Sequence, residues 1–78
     1  MRILVVEDDR KVAGFLRKGL EVEGYAVDVA PDGARALVQA HVYDYDCIIL
    51  DRLLPRQNGI DVLKTLRHEG RTTPVLML

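Results

Sequence analysis

Apolar residues along this chain fall into two patterns that take turns. Residues 3–6 (Ile-Leu-Val-Val) and 47–50 (Cys-Ile-Ile-Leu) are short unbroken runs, which suit strands covered on both faces of a parallel sheet. After the first run Val12, Phe15, Leu16 and Leu20 recur at helical spacing, with Arg10, Lys11, Arg17, Lys18 and Glu21 between them, which predicts an amphipathic helix. Asp8 or Asp9 supplies its cap and Gly24 its end. Residues 25–30 predict a second strand, in which Asp28 points to an edge position where one side chain reaches water. Pro31-Asp32-Gly33 is turn chemistry. Ala34, Leu37, Val38 and His41 then mark a second helix. Residues 43–46 form a polar loop, the third strand stops at Asp51, and residues 55–59 form a second loop. Ile60, Leu63 and Leu66 give a third helix closing near Gly70, and residues 74–78 a fourth strand. The order β-α-β-α-β-α-β predicts an α/β, doubly wound parallel sheet with helices on both faces. Because crossovers are right-handed, the first helix is expected on one face of the sheet and the second and third on the other.

Composition narrows the function. The 78 residues make one small domain. Eleven basic residues balance twelve acidic ones, so there is no electrostatic footprint for nucleic acid. The apolar runs are far too short to span a membrane, and no signal-peptide pattern opens the chain. The single cysteine, Cys47, leaves no internal disulfide and fits a reducing, cytoplasmic setting.

The chemistry gathers where strands end. Glu7-Asp8-Asp9 follows the first strand and Asp51 follows the third. Strands of a parallel sheet point the same way, so these carboxylates share its carboxyl edge. If the first and third strands are neighbours, with the second on the far side of the first, the strand order reverses between them, and ligands bind at such a reversal. Clustered carboxylates need protons or a cation at neutral pH. Hard oxygen donors favour Mg²⁺, which keeps several waters and accepts phosphate oxygens. An aspartate is itself a nucleophile toward phosphorus. Taken singly, Asp8 or Asp9 is only a helix cap and Asp51 only a strand-end acid; taken together they point to a metal and phosphoryl site. Dinucleotide binding is excluded, since the first turn carries acids where pyrophosphate needs glycines. The Asp-x-Asp of haloacid-dehalogenase-type phosphotransferases is absent as well.

The opening Ile3-Leu4-Val5-Val6-Glu7-Asp8-Asp9, the run Ile48-Ile49-Leu50-Asp51, the loop residues Leu54-Pro55 and Asn58-Gly59, and the closing Thr73-Pro74-Val75-Leu76-Met77-Leu78 together resemble the receiver domain of bacterial two-component response regulators. The likeness runs through the whole chain. It is greatest to the subfamily carrying a C-terminal winged-helix DNA-binding domain, and within that to heavy-metal-responsive transcription regulators. The resemblance implies a flavodoxin-like receiver with strand order 2-1-3-4, residues 1–78 being its first two-thirds, without the fifth strand and last two helices. It implies that Asp51 is the phosphoacceptor. Asp8 would be a direct Mg²⁺ ligand, Glu7 would act through water, and Leu53 would offer its backbone carbonyl. Asp9 would cap the helix, and Pro55 and Gly59 would shape the loop. The implied role is signalling rather than enzymatic. A sensor histidine kinase would be the phosphoryl donor, and DNA would be met only through an effector domain absent from this chain. The family's Ser or Thr after the fourth strand and its Lys after the fifth are not among these residues. A rival expectation is a non-phosphorylated α/β interaction module that keeps the fold but not the switch.

The remaining polar residues read as ordinary. Arg52 and Arg56 read first as solvated loop charges and second as groups that approach a phosphoryl group or an acidic partner; His41 and His68 stand apart from any ligand cluster, Cys47 is a small hydrophobe, and Tyr43 and Tyr45 pack at a loop edge. The fourth strand would be an uncharged sheet edge over a bare apolar face. That exposure predicts that these 78 residues alone are either partly unfolded or self-associated through the edge.

Overall fold

A computed structural model describes residues 1–78. The elements are β1 (Arg2–Val6), α1 (Arg10–Val22), β2 (Ala26–Ala30), α2 (Gly33–Val42), β3 (Cys47–Leu50), α3 (Gly59–His68) and β4 (Val75–Met77). The strands form one parallel sheet in the order β2-β1-β3-β4. The expected class and topology hold, and the strand order reverses between β1 and β3 as anticipated.

Two layers cover the central strands. Leu4, Val6, Ile48 and Leu50 point toward α2 and α3 and pack with Ala36, Ala40, Leu54, Val62 and Leu66. Full burial of each large side chain in this layer contributes roughly 1.5–3 kcal/mol. Ile3, Val5 and Val27 point to the opposite face and meet Leu16 and Leu20 of α1. Each helix starts on a side-chain cap. Asp9 accepts from the N–H groups of Lys11 (2.9 Å) and Val12 (3.2 Å), which settles the choice between Asp8 and Asp9. Asp32 accepts from Arg35 N–H and Asn58 from Asp61 N–H. Gly24 and Gly70 follow α1 and α3 with positive φ, the backbone that ends a helix most cheaply with glycine.

Three expectations need correction. Val12 and Phe15 were placed on the packed side of α1 by spacing, yet Phe15 is 80% exposed while Ala13, Leu16 and Leu20 face the sheet. The helix lies mainly over β1 and β2, and the flank bearing Phe15 meets solvent. The bare face over β3 and β4 is narrower than a continuous apolar run implies. Strand alternation sends Ile48 and Leu50 into the α2–α3 core and leaves Cys47, Ile49, Leu76 and Leu78 on the open side. Asp28 does lie on an edge strand, but its carboxylate is held rather than solvated.

That carboxylate anchors the amino edge of the sheet. Arg2 Nε pairs with it at 2.9 Å, and the buried Tyr45 donates its hydroxyl to the same oxygen at 2.7 Å. The Arg2 guanidinium lies 4.3 Å over the Tyr43 ring, and the Arg2 N–H donates to Asp46. One cluster thus ties β1, the edge strand β2 and the α2–β3 loop. Burial alone would raise the Asp28 carboxyl, but the Tyr45 and Arg2 hydrogen bonds outweigh it and hold it below the usual carboxylate range. Burial and then the Asp28 hydrogen bond push the Tyr45 hydroxyl well above its ordinary value. The Asp28 contribution is present above the usual carboxylate pKa and is lost as pH falls through the lowered value. The Tyr45 contribution is complete below the ordinary tyrosine value of 10.0 and is lost as pH rises beyond it. Tyr45→Phe should therefore cost about 1–2 kcal/mol at neutral pH and flatten the alkaline fall in stability. Urea denaturation between pH 7 and 11 reads both effects; an unchanged neutral midpoint would show that the cluster holds nothing together.

Candidate metal and phosphoryl site

Sheet register builds the site. Val6 pairs with Ala30 on one side and Leu50 on the other. The ladder runs one step past the strands: Glu7 N–H donates to the Ala30 carbonyl and Asp51 N–H to the Val6 carbonyl, each at 3.0 Å. Glu7 and Asp51 therefore leave neighbouring strands side by side. Carboxylate oxygens of Glu7, Asp8 and Asp51 lie within 4.8 Å of one another.

The three acids differ in setting. Glu7 is buried, 8% exposed, and its Oε1 accepts the Asp9 N–H at 3.1 Å. Asp8 is exposed and Asp51 is half-buried. Asp51 Oδ1 accepts the Leu53 N–H at 3.0 Å, so the residue expected to lend a carbonyl is tied to the acid by its amide. Burial, then a hydrogen bond toward Asp51 and the charges of Asp51 and Asp8, raise the Glu7 carboxyl; the Asp9 N–H opposes them only in part. The donor set is all oxygen, crowded, and graded from buried to open, which fits a hard divalent cation. Asp9, turned to the helix, caps α1 and stands apart from this group.

The β3–α3 loop carries Leu53 away from Asp51 and back. Leu54 is buried in the core and anchors it. Gly59 N–H donates to the Arg52 carbonyl at 2.8 Å and closes it. Arg52 and Arg56 are exposed, as expected of loop charges. His68 is exposed at the end of α3. His41 has partners that spacing did not reveal, with Nε2 3.3 Å from Glu69 Oε1 and Nδ1 3.2 Å from an Arg71 nitrogen. Two contributors to the acid site also escaped the sequence reading. The Asp9 amide orients Glu7, legible only as an acid triplet running straight into a helix. The close seat of Gly59 is legible only as a glycine at a helix start.

Residues 3–78 match the response regulator receiver domain family. The chain is 42% identical over 78 residues to the transcriptional regulatory protein CusR of Escherichia coli (strain K12), covering 100% of this chain and 34% of that protein. It thus spans about a third of the length of the curated relatives it matches. Among solved structures it is similar to the receiver domain of the Francisella response regulator 1452, with a TM-score of 0.94 and 38% identity over 97% of this chain and 63% of that one. It is also similar to the response regulator protein TrrA of Thermotoga maritima, solved in complex with Mg²⁺-BeF, with a TM-score of 0.86 and 33% identity over 97% of this chain and 64% of that one. No helix is long and apolar enough to cross a membrane.

The raised Glu7 carboxyl has a signed consequence. With no divalent cation added, the folded protein holds that proton more tightly than the unfolded chain does. The stability it contributes is complete below the ordinary glutamate value of 4.5 and is lost as pH rises through the raised value. The denaturation midpoint in chelator should accordingly drop as pH climbs from about 4 toward neutrality, over and above other acids. Glu7→Gln, uncharged throughout, should remove that component. Superimposable profiles for the two proteins would show that the component does not come from Glu7.

Proposed function

The chain belongs to the response regulator receiver domain family, and on that premise we propose that Asp51 accepts a phosphoryl group from a sensor histidine kinase with Mg²⁺ bound. Phosphorylation would control a DNA-binding effector domain that this chain does not contain. The observation that carries the reading is the convergence of Glu7, Asp8 and Asp51 oxygens at adjacent ends of β1 and β3.

In the transfer, an Asp51 carboxylate oxygen forms a bond to phosphorus as the P–N bond to the donor imidazole breaks. The electron pair returns to the ring nitrogen, and the ring leaves neutral when its other nitrogen carries a proton. The product on Asp51 is an acyl phosphate. Leu53 N–H holds Asp51 Oδ1 and so orients the carboxylate. Asp8, exposed beside Asp51, is the direct metal ligand. Glu7, recessed and turned to the Asp9 amide, would act through a water. Leu53 lends its backbone carbonyl. Mg²⁺ held there would supply charge neutralisation on the transferring group, in line with the Mg²⁺-BeF held by the Thermotoga relative. The DNA reading draws on relatives such as CusR, which are transcriptional regulators.

Residues 1–78 are read as the N-terminal two-thirds of one receiver, consistent with the 63% coverage of the solved Francisella domain. Its setting is cytoplasmic, its role is signalling rather than enzymatic turnover, and it uses no membrane. The 78 residues alone should pair with a second copy through β4. That strand is an edge, its outward backbone groups lack strand partners, and Leu76 and Leu78 lie exposed beside it. Sedimentation of residues 1–78 should show mass rising with concentration in the micromolar range; a cooperatively melting monomer throughout would contradict this.

Acetyl phosphate with Mg²⁺, read by intact mass in the full-length protein, tests the phosphoacceptor and separates it from a phosphoryl-free interaction module. One phosphoryl adduct is expected on wild type and none on Asp51→Asn, because an amide is neither nucleophile nor anionic ligand. Asp8→Ala should slow uptake far more than Asp9→Ala, whose main cost is about 1 kcal/mol of helix capping. Labelling of Asp51→Asn at the wild-type rate, or Asp9→Ala as the worse variant, would refute these roles.

A further inference from the structure

Two glycines open helices at the carboxyl edge of the sheet. Gly33 begins α2 and Gly59 begins α3; both are buried, and neither has the positive φ that itself calls for glycine. Space is what each supplies. A Cβ on Gly33 would stand 2.5 Å from Gln57 Oε1 and 2.7 Å from Val62 Cγ2. Both are side-chain atoms, and the first ends a flexible chain that swings aside. A Cβ on Gly59 would stand 2.5 Å from the Asp51 carbonyl oxygen, 3.0 Å from Arg52 Cα and 3.1 Å from Met77 Sδ. The nearest two are backbone atoms at the end of β3, and they yield only if the chain carrying Asp51 moves.

From this contrast we infer that Gly59 is a positioning residue for the phosphoryl site. Its bare Cα lets α3 start against the Asp51–Arg52 peptide, and its N–H donates to the Arg52 carbonyl at 2.8 Å. The same short stretch carries the Asp51 carboxylate, held by Leu53 N–H at 3.0 Å. A side chain at 59 would push on Asp51 and Leu53 together, the acid and the proposed carbonyl ligand, while Glu7 and Asp8 stay with β1. The oxygens would then no longer converge. Gly33 sits at an equally tight helix start whose neighbours belong to no ligand, so the same added methyl there should disturb packing without disturbing the site. The inference rests on the phosphoacceptor reading and deepens it.

Calorimetric titration with Mg²⁺ alone, on full-length wild type, Gly33→Ala and Gly59→Ala at a temperature where each is folded, tests it. Gly59→Ala should weaken Mg²⁺ binding about 10-fold or more, as displacement of supporting groups does in metal sites. Gly33→Ala should stay within about twofold of wild type, since it touches no ligand. A folded Gly59→Ala that binds like wild type, or a Gly33→Ala that loses as much, overturns the inference and leaves the phosphoacceptor reading standing. Wild type that binds no Mg²⁺ overturns both. Should Gly59→Ala fail to fold, amide exchange in wild type decides. Saturating Mg²⁺ should slow the Gly59 N–H several-fold more than the remote Tyr43 N–H, which is bonded to the Gln39 carbonyl; equal protection at the two sites overturns it.

Discussion

Parallel pairing of β1 with β3, Val6 opposite Leu50, is the constraint on which the rest of this molecule depends. It is held by apolar packing rather than by the acids it serves. Leu4 and Val6 must face α2 and α3 on the same side as Ile48 and Leu50, and a one-residue slip would turn one set to the other face. With the register fixed, the two backbone bonds beyond the strands leave Glu7 and Asp51 no choice but to emerge together. Hydrophobic burial thus drives carboxylates into a proximity they would not adopt alone, and burial first, then Asp51 and Asp8, push the Glu7 carboxyl up.

The two edges of the sheet use charge in opposite ways. At the amino edge Arg2, Asp28 and Tyr45 satisfy one another, with Tyr43 stacked beneath the guanidinium. That end is closed chemically, and the Asp28 carboxyl lies below its ordinary range. At the carboxyl edge no cationic side chain bonds to Glu7, Asp8 or Asp51. Local disagreement between stability and composition is what a functional site produces, with compensation elsewhere in the fold. Here the amino-edge cluster and the α2–α3 core stabilise a sheet whose other end gathers three carboxylates with no cationic side chain among them.

Much of this was legible in the chain itself. Element order and strand order followed from unbroken apolar runs alternating with helical spacing, and the acid cluster followed from two strands ending in carboxylates. What escaped detection depends on neighbours distant in sequence. Phe15 has core spacing, but whether a helix flank is covered depends on how many strands lie beneath it, and α1 packs mainly on β1 and β2. Asp28 could be placed on an edge strand, but its partners Arg2 and Tyr45 are 26 and 17 residues away. Tyr45 looked like a loop-edge residue and is buried, because its hydroxyl has a carboxylate to meet. Gly59 looked like one more turn glycine; its significance lies in the nearby Asp51 carbonyl oxygen, a distance no spacing rule contains.

The central claim is that Asp8 and Asp51 act as one oxygen cluster because the register joins them. A double-mutant cycle on Mg²⁺ affinity, with Asp8→Ala, Asp51→Asn and the double variant in the full-length protein, tests it most directly. If both acids hold one ion, each single change removes most of the binding and the second adds little, leaving a coupling energy above about 0.5 kcal/mol. Additive losses, with each variant still binding Mg²⁺ through the other acid, would show two independent carboxylates that share a sheet edge and nothing more.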